Sequence, residues 1–229
     1  MTTCEIRLLL SKWLQDTCEF HGGLGVCRPH PLIEDHAHPC DVAAMPKTFS
    51  DIRRKTFLLG RAAARSAMAD IGVAPVSLPR APSGAPLWPN GYIGSITHSE
   101  TIAIAVIARR GRLAGIGVDV EDGDRALPPG VFDRILTPEE RNGSIGAAGR
   151  ASASVARRVF CAKEAAFKAY ANLLSETIGF WDITIHHAED VERFIALPPV
   201  SSGTPRCYVR THALHGLVLA FATIAPELP

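Results

Sequence analysis

The chain has 229 residues, 47% of them hydrophobic and 21% charged, with a formal net charge of +1. That length supports one large domain or two small ones, and the charge balance excludes a nucleic-acid binder built on a broad basic face. The apolar stretches 102–108 and 217–225 are too short to cross a bilayer, which argues against a membrane protein.

The N-terminus, with Glu5, Arg7 and Lys12 around Leu8-Leu9-Leu10, does not have the form of a secretory signal. Six cysteines at 4, 18, 27, 40, 161 and 207 include no Cys-x-x-Cys pair and read as reduced thiols of a cytoplasmic protein. Residues 21–46, rich in His, Pro and Gly and without period, read as an irregular excursion. Within them His36, His38 and Cys40 are candidate metal ligands, with a plain loop as the simpler reading.

The spacing predicts a helix over 50–71, with Ile52, Phe57, Leu59, Ala63, Ala67 and Ile71 apolar, Arg53, Arg54, Arg61 and Arg65 charged, and Gly72 as its stop. A Pro/Gly-rich stretch, 75–91, precedes strands at 92–97 and 102–108, the second apolar throughout and therefore central in a sheet. A further strand is expected at 115–121. Thr137, Pro138 and Glu140 mark a capped helix start. Residues 143–154 are almost all small and read as a mobile loop. A helix over 155–174 follows, then strands near 181–185, 206–210 and 217–224. Phe57 to Arg65 echoes Phe160 to Lys168, each a helix carrying Phe, a charge, Ala-Ala and a base, which raises the prospect of a duplicated helix-plus-sheet unit.

Three segments carry chemistry. In Gly115-Ile116-Gly117-Val118-Asp119-Val120-Glu121, strand alternation puts Asp119 and Glu121 on one face. Paired carboxylates there suit Mg²⁺, or belong to a solvated strand end. In Phe160-Cys161-Ala162-Lys163-Glu164-Ala165-Ala166-Phe167-Lys168, the two phenylalanines, two lysines and Glu164 fall within one broad helical face, which is either partly buried around an anion or an exposed Glu–Lys pair. The third segment, Gly84 to Ser99, is a rigid Trp88-Pro89 turn followed by Gly94-Ser95-Ile96-Thr97-His98; alone, His98 reads as a strand-end histidine.

In this order and spacing the three segments resemble the 4′-phosphopantetheinyl transferases of the large, two-lobed type found with siderophore, peptide and polyketide synthases. The family pattern W-P-x-G…G-S-x-[ST]-H, G-[IV]-D-x-E, [WF]-x-x-K-E-A-x-x-K is matched in all three parts, from about residue 53 to 170. Phe160 stands where many members have Trp, and 79–83 departs from the usual Lys/Gly-rich version near Arg80. The resemblance implies an α+β fold of two pseudo-duplicated helix-plus-antiparallel-sheet lobes, 1–113 and 114–229, with the active site in the cleft between them.

The same resemblance implies that Asp119, Glu121 and Glu164 hold Mg²⁺ (or Mn²⁺) against the diphosphate of coenzyme A, the co-substrate. Lys163 and Lys168 would neutralise its oxygens; Arg53, Arg61, Arg80, Ser95 and His98 would bind its phosphates. A serine of an apo acyl or peptidyl carrier protein would attack the β-phosphorus, with Glu164 taking the proton directly or through water held by the metal. Arg150, Arg157 and Arg158 would give the acidic carrier a mobile basic landing site. The expected enzyme is a monomer. A metal-dependent nuclease and a non-catalytic binding module are the alternatives; the near-neutral charge disfavours the first, and retention of all three carboxylates and both lysines disfavours the second.

Overall fold

Two tetrapeptides, Gly23-Leu24-Gly25-Val26 and Gly115-Ile116-Gly117-Val118, place one alanine-rich helix each on a sheet. In the computed structural model, which describes residues 1–34, 37–123, 127–171, 173, 178–188, 192–198 and 205–226, a Cβ at Gly25 would run into the Ala63 carbonyl oxygen, and one at Gly117 into that of Ala165. Gly23 stands in the same way against Ala67, and Gly115 against Ala169. Only glycine lets a strand and a helix backbone approach so closely. The chain divides into two compact units, Met1–Arg110 and Gly111–Pro229, and each contains one of these pairs.

In the first unit, β1 (Gly23–Cys27), β2 (Tyr92–His98) and β3 (Ala103–Arg109) form an antiparallel sheet in the order β1-β3-β2. The strand expected to be central is central. Helix α3 (Asp51–Asp70) covers it: Leu59, Ala63, Ala64, Ala67 and Met68 pack with Ala103, Ala105 and Ile107. Its start is fixed by Ser50, whose hydroxyl accepts from the Arg53 amide at 3.3 Å. Helix α1 (Thr3–Cys18) begins in a Thr2/Glu5 capping box and buries Ile6, Leu10 and Leu14 at i, i+4, i+8. Arg7 ties it to the Leu24 carbonyl (3.2 Å) and to Asp70.

The stretch expected to be irregular therefore holds β1 and a short helix, α2 (Pro39–Ala43). His38 caps that helix, its Nδ1 accepting from the Cys40 amide at 3.2 Å. His36 lies outside the described residues, and among the described residues no three His, Cys, Asp or Glu side chains are placed to hold a metal ion.

The second unit carries a five-stranded antiparallel sheet in the order β4-β8-β7-β6-β5. Its strands are β4 (Gly115–Asp122), β5 (Thr184–His187), β6 (Arg193–Leu197), β7 (Cys207–Leu214) and β8 (Leu217–Ile224). After β4 come three short helices: α4 (Val131–Ile135), α5 (Pro138–Asn142) and α6 (Ser144–Ala151). Helix α7 (Ala153–Ala171) packs Val159, Ala162, Ala165, Ala166 and Ala169 on the sheet, and the Tyr170 hydroxyl donates to the carbonyl of Ala196 at 2.9 Å. The α5 capping box forms as the sequence predicts, the Thr137 amide donating to Glu140 at 2.6 Å.

Two readings change here. Residues 143–154 are not an open loop: α6 occupies most of them, with Ile145, Gly146 and Gly149 buried and Gly149 pressed on the Phe132 ring. Small residues there serve close packing rather than mobility. The repeat register also shifts by one. Matching the units through their glycine contacts pairs Ala63 with Ala165, so Arg61 falls opposite Lys163 and not opposite Glu164. Both basic side chains are buried, at 3% and 0% exposure.

Candidate functional site

The residues singled out in the sequence fall into two groups, one on each unit. On the second unit, β4 alternation turns Asp119 and Glu121 to the side that Gly115 and Gly117 present to α7. Asp119 is 4% exposed, while Glu121 and Glu164 are half-buried. Lys168, one helical turn beyond Glu164, donates to Asp119 Oδ1 at 2.7 Å and to the Val118 carbonyl at 3.2 Å. The Cys161 thiol, fully buried on the same side of α7, donates to the Val218 carbonyl (3.5 Å) and lies beside Asp119; burial, then the Asp119 carboxylate, raises its pKa.

Electrostatics mark this as a crowded anionic pocket. Burial, then the charges of Asp119, Glu164 and Asp122, push Glu121 up to about 7, against a lowering pull from Arg157. Burial also pushes Glu164 up to about 7, with Lys168 opposing and Asp119 adding. For Lys168, burial works against the ammonium, but Asp119 and Glu164 outweigh it and hold its pKa above the ordinary lysine value.

The donor chemistry fits a hard divalent cation: three carboxylates whose mutual repulsion such an ion would relieve. The ligands are not pre-converged, since among the described residues no three of them form a ready metal arrangement and Lys168 holds one oxygen of Asp119.

Lys163 is not in this pocket. Its ammonium sits at 2.6 Å from Glu140 and 2.8 Å from the Ile135 carbonyl, and Glu140 in turn accepts from the Ile185 amide at 2.6 Å. Lys163 and Lys168 stand about 140° apart around α7, at the two edges of the face that the sequence gives them, and the edge carrying Lys163 meets α4 and α5. Lys163 instead pins α4, α5 and the β5 edge to α7. The three arginines of the expected landing site have partners within their own unit: Arg150 pairs with Asp133 at 3.1 Å, Arg157 donates to the Gly123 carbonyl, and Arg158 pairs with Glu192 at 3.3 Å.

On the first unit, Arg53 Nη1 lies 3.4 Å from His98 Nε2, bringing the start of α3 to the end of β2. Arg61 stacks over Phe57 with 4.7 Å from guanidinium carbon to ring centroid, and its buried Nε and Nη1 have no hydrogen-bond partner among the described residues. Burial lowers its pKa to about 10, with Asp41 opposing and Arg80 and Arg65 adding. Ser95 is 4% exposed and points to the face of β2 opposite His98, so the two side chains are not brought together. Arg80 is exposed at a bridge to Pro86.

Sequence reasoning missed Asp41, which is fully buried and binds Arg65 and Ser77 (3.0 Å) beneath Arg61. It also missed Cys161 as a neighbour of Asp119. The repeated Gly-[Leu/Ile]-Gly-Val would have revealed β1, and with it Asp41's side of the first unit.

Comparison with known proteins agrees with this layout. Residues 43–108 match the model of the 4′-phosphopantetheinyl transferase N-terminal domain, and 115–222 match that of the 4′-phosphopantetheinyl transferase superfamily. Among curated relatives, the 4′-phosphopantetheinyl transferase Npt of Nocardia iowensis is 36% identical over 63% of this chain and 63% of its own length. PptT of Mycobacterium tuberculosis is 38% identical over 60% of each. The enterobactin synthase component D of Salmonella typhimurium is 42% identical over 30% of this chain and 27% of its own. The aligned part of this chain thus spans less than two thirds of these relatives' length. The two family models follow one another along most of the chain, and the chain belongs to the 4′-phosphopantetheinyl transferase superfamily.

Proposed function

We propose that this chain transfers the 4′-phosphopantetheine of coenzyme A to a serine of an apo acyl or peptidyl carrier protein. The observation that carries the reading is the pocket of Asp119, Glu121 and Glu164 with Lys168 in its midst, since three hard anionic donors beside an ammonium suit a divalent cation and a diphosphate together.

In this reading Asp119, Glu121 and Glu164 would hold Mg²⁺, with Mn²⁺ as a substitute. When bound, the ion supplies charge neutralisation at the diphosphate oxygens. Arg53 and Arg61 take the coenzyme's 3′-phosphate and diphosphate and His98 its 3′-phosphate; the buried Nε and Nη1 of Arg61, without a hydrogen-bond partner among the described residues, support its share. Arg80 is kept as a peripheral contact. Ser95, on the other face of β2 from His98, is kept as a secondary contact, and Lys163 drops out because its ammonium is held by Glu140 and the Ile135 carbonyl.

The serine hydroxyl oxygen attacks the β-phosphorus, the bond to the bridging oxygen breaks, and adenosine 3′,5′-bisphosphate leaves. Glu164 takes the hydroxyl proton directly or through a bound water, and Lys168 stabilises the charge that develops on the leaving diphosphate oxygen. The reading supposes a monomer working in the cytoplasm; among the described residues no helix is long and apolar enough to cross a membrane.

The test is incubation with fluorescent coenzyme A and an apo-carrier protein. Covalent labelling of the carrier that requires a divalent cation, and is lost in Glu164→Gln, supports the reading. Labelling that survives excess chelator sinks the carboxylate assignment.

A further inference from the structure

The contact between Lys168 and Asp119 carries a consequence for how ligands load. Asp119 is 4% exposed, and a carboxylate so placed is costly without a counter-charge. Lys168 supplies it at 2.7 Å, steadied by the Val118 carbonyl at 3.2 Å. The charged groups around the neighbouring Glu121 and Glu164 are mostly acidic, with Asp122 beside Glu121, and Arg157 adds one basic charge next to Glu121. The side chain of Lys168 keeps 26% exposure, so its flexible stem has a route away from the carboxylate.

Resting on the reading that these carboxylates take a divalent cation, we propose that Lys168 is a resident counter-ion of Asp119 which the cation displaces, so that cation binding and release of the ammonium toward an anionic ligand are one event. A dication and an ammonium cannot share the same carboxylate oxygen at contact distance without strong repulsion. Once displaced, the ammonium keeps its charge and three donors and turns to the nearest anion, a phosphate oxygen. Without the cation, an anion recruiting Lys168 must first strip Asp119 of its partner. Cation and phosphate ligand therefore bind with positive coupling through this one side chain, and the coupling is reciprocal.

The experiment uses the intact chain and lysine-ammonium ¹H–¹⁵N correlation spectra, with Lys168→Arg to assign the signal. In cation-free protein the bonded Lys168 ammonium exchanges slowly and is visible. Mg²⁺ should shift or remove that signal in proportion to the Mg²⁺ bound, measured by calorimetry on the same sample. Asp119→Asn should remove it with no Mg²⁺ present. By electron paramagnetic resonance, Lys168→Met should bind Mn²⁺ about tenfold more tightly than the unaltered chain, the loss of one competing ion pair. A Lys168 signal unmoved at saturating Mg²⁺, or Mn²⁺ binding no tighter in Lys168→Met, overturns the counter-ion role while leaving the cation site standing. If the unaltered chain binds no Mg²⁺ or Mn²⁺ at all, both the counter-ion and the cation reading fall.

Discussion

Lowering the pH from 8 to 6 should weaken divalent-cation binding far more than ordinary carboxylates would allow. Glu121 and Glu164 are each pushed up to about 7 by burial and by their acidic neighbours. A cation needs them deprotonated. For a group with pKa 7, the deprotonated fraction falls roughly tenfold between pH 8 and pH 6, and two such groups give about a hundredfold loss in affinity. At pH 7 each group is half protonated, so binding should expel about one proton. Calorimetry with Mn²⁺ at pH 6, 7 and 8, in two buffers of different ionisation enthalpy, reads both quantities. Stability follows from the same shifts. The folded chain holds these protons up to about pH 7, whereas in the unfolded chain the carboxylates lose them near 4.5. The folded state binds the extra protons in that window, so the melting temperature of cation-free protein should fall as pH rises from about 5 to 7. Saturating Mg²⁺ should erase the fall. An affinity that changes less than about threefold over the range, with no proton release, would refute the crowded-carboxylate account.

Lys163→Met leaves Glu140 as an unpaired buried anion and should cost about 3–5 kcal/mol in urea unfolding, with coenzyme A affinity unchanged in the protein that remains folded. Gly117→Val drives a side chain into the Ala165 carbonyl and should cost about 3 kcal/mol or more, visible as a lowered denaturation midpoint; Gly72→Ala, at φ +71 with open space around it, should cost about 1 kcal/mol. Arg61→Ala and His98→Ala should weaken coenzyme A more than 3′-dephospho-coenzyme A in competition binding. Equal losses with both donors would remove the 3′-phosphate from their account.

Much of this was legible because the signals were local. The Thr137/Glu140 capping box, the apolar β3 and the Asp-x-Glu strand all declare themselves within a few residues. What was missed depends on partners distant in sequence. Gly23 and Gly25 look like loop residues until α3 is seen lying on them, and the small residues of α6 look mobile until Phe132 is seen seated on Gly149. Lys163 and Lys168 share a motif, but only the placement of Glu140 shows that one belongs to the scaffold and the other to the carboxylate pocket. The Cys161 thiol beside Asp119 has no sequence signature, because burial makes a cysteine look like any small apolar residue.

Intact-mass analysis of an apo-carrier protein after incubation with this chain, coenzyme A and Mg²⁺ bears most directly on the central claim. The account predicts a mass gain of one phosphopantetheine per carrier, placed on a single serine. That gain should disappear with excess chelator and with Asp119→Ala, Glu121→Ala or Glu164→Gln, each shown to be folded by circular dichroism. A full mass gain in the triple variant lacking all three carboxylates would contradict it.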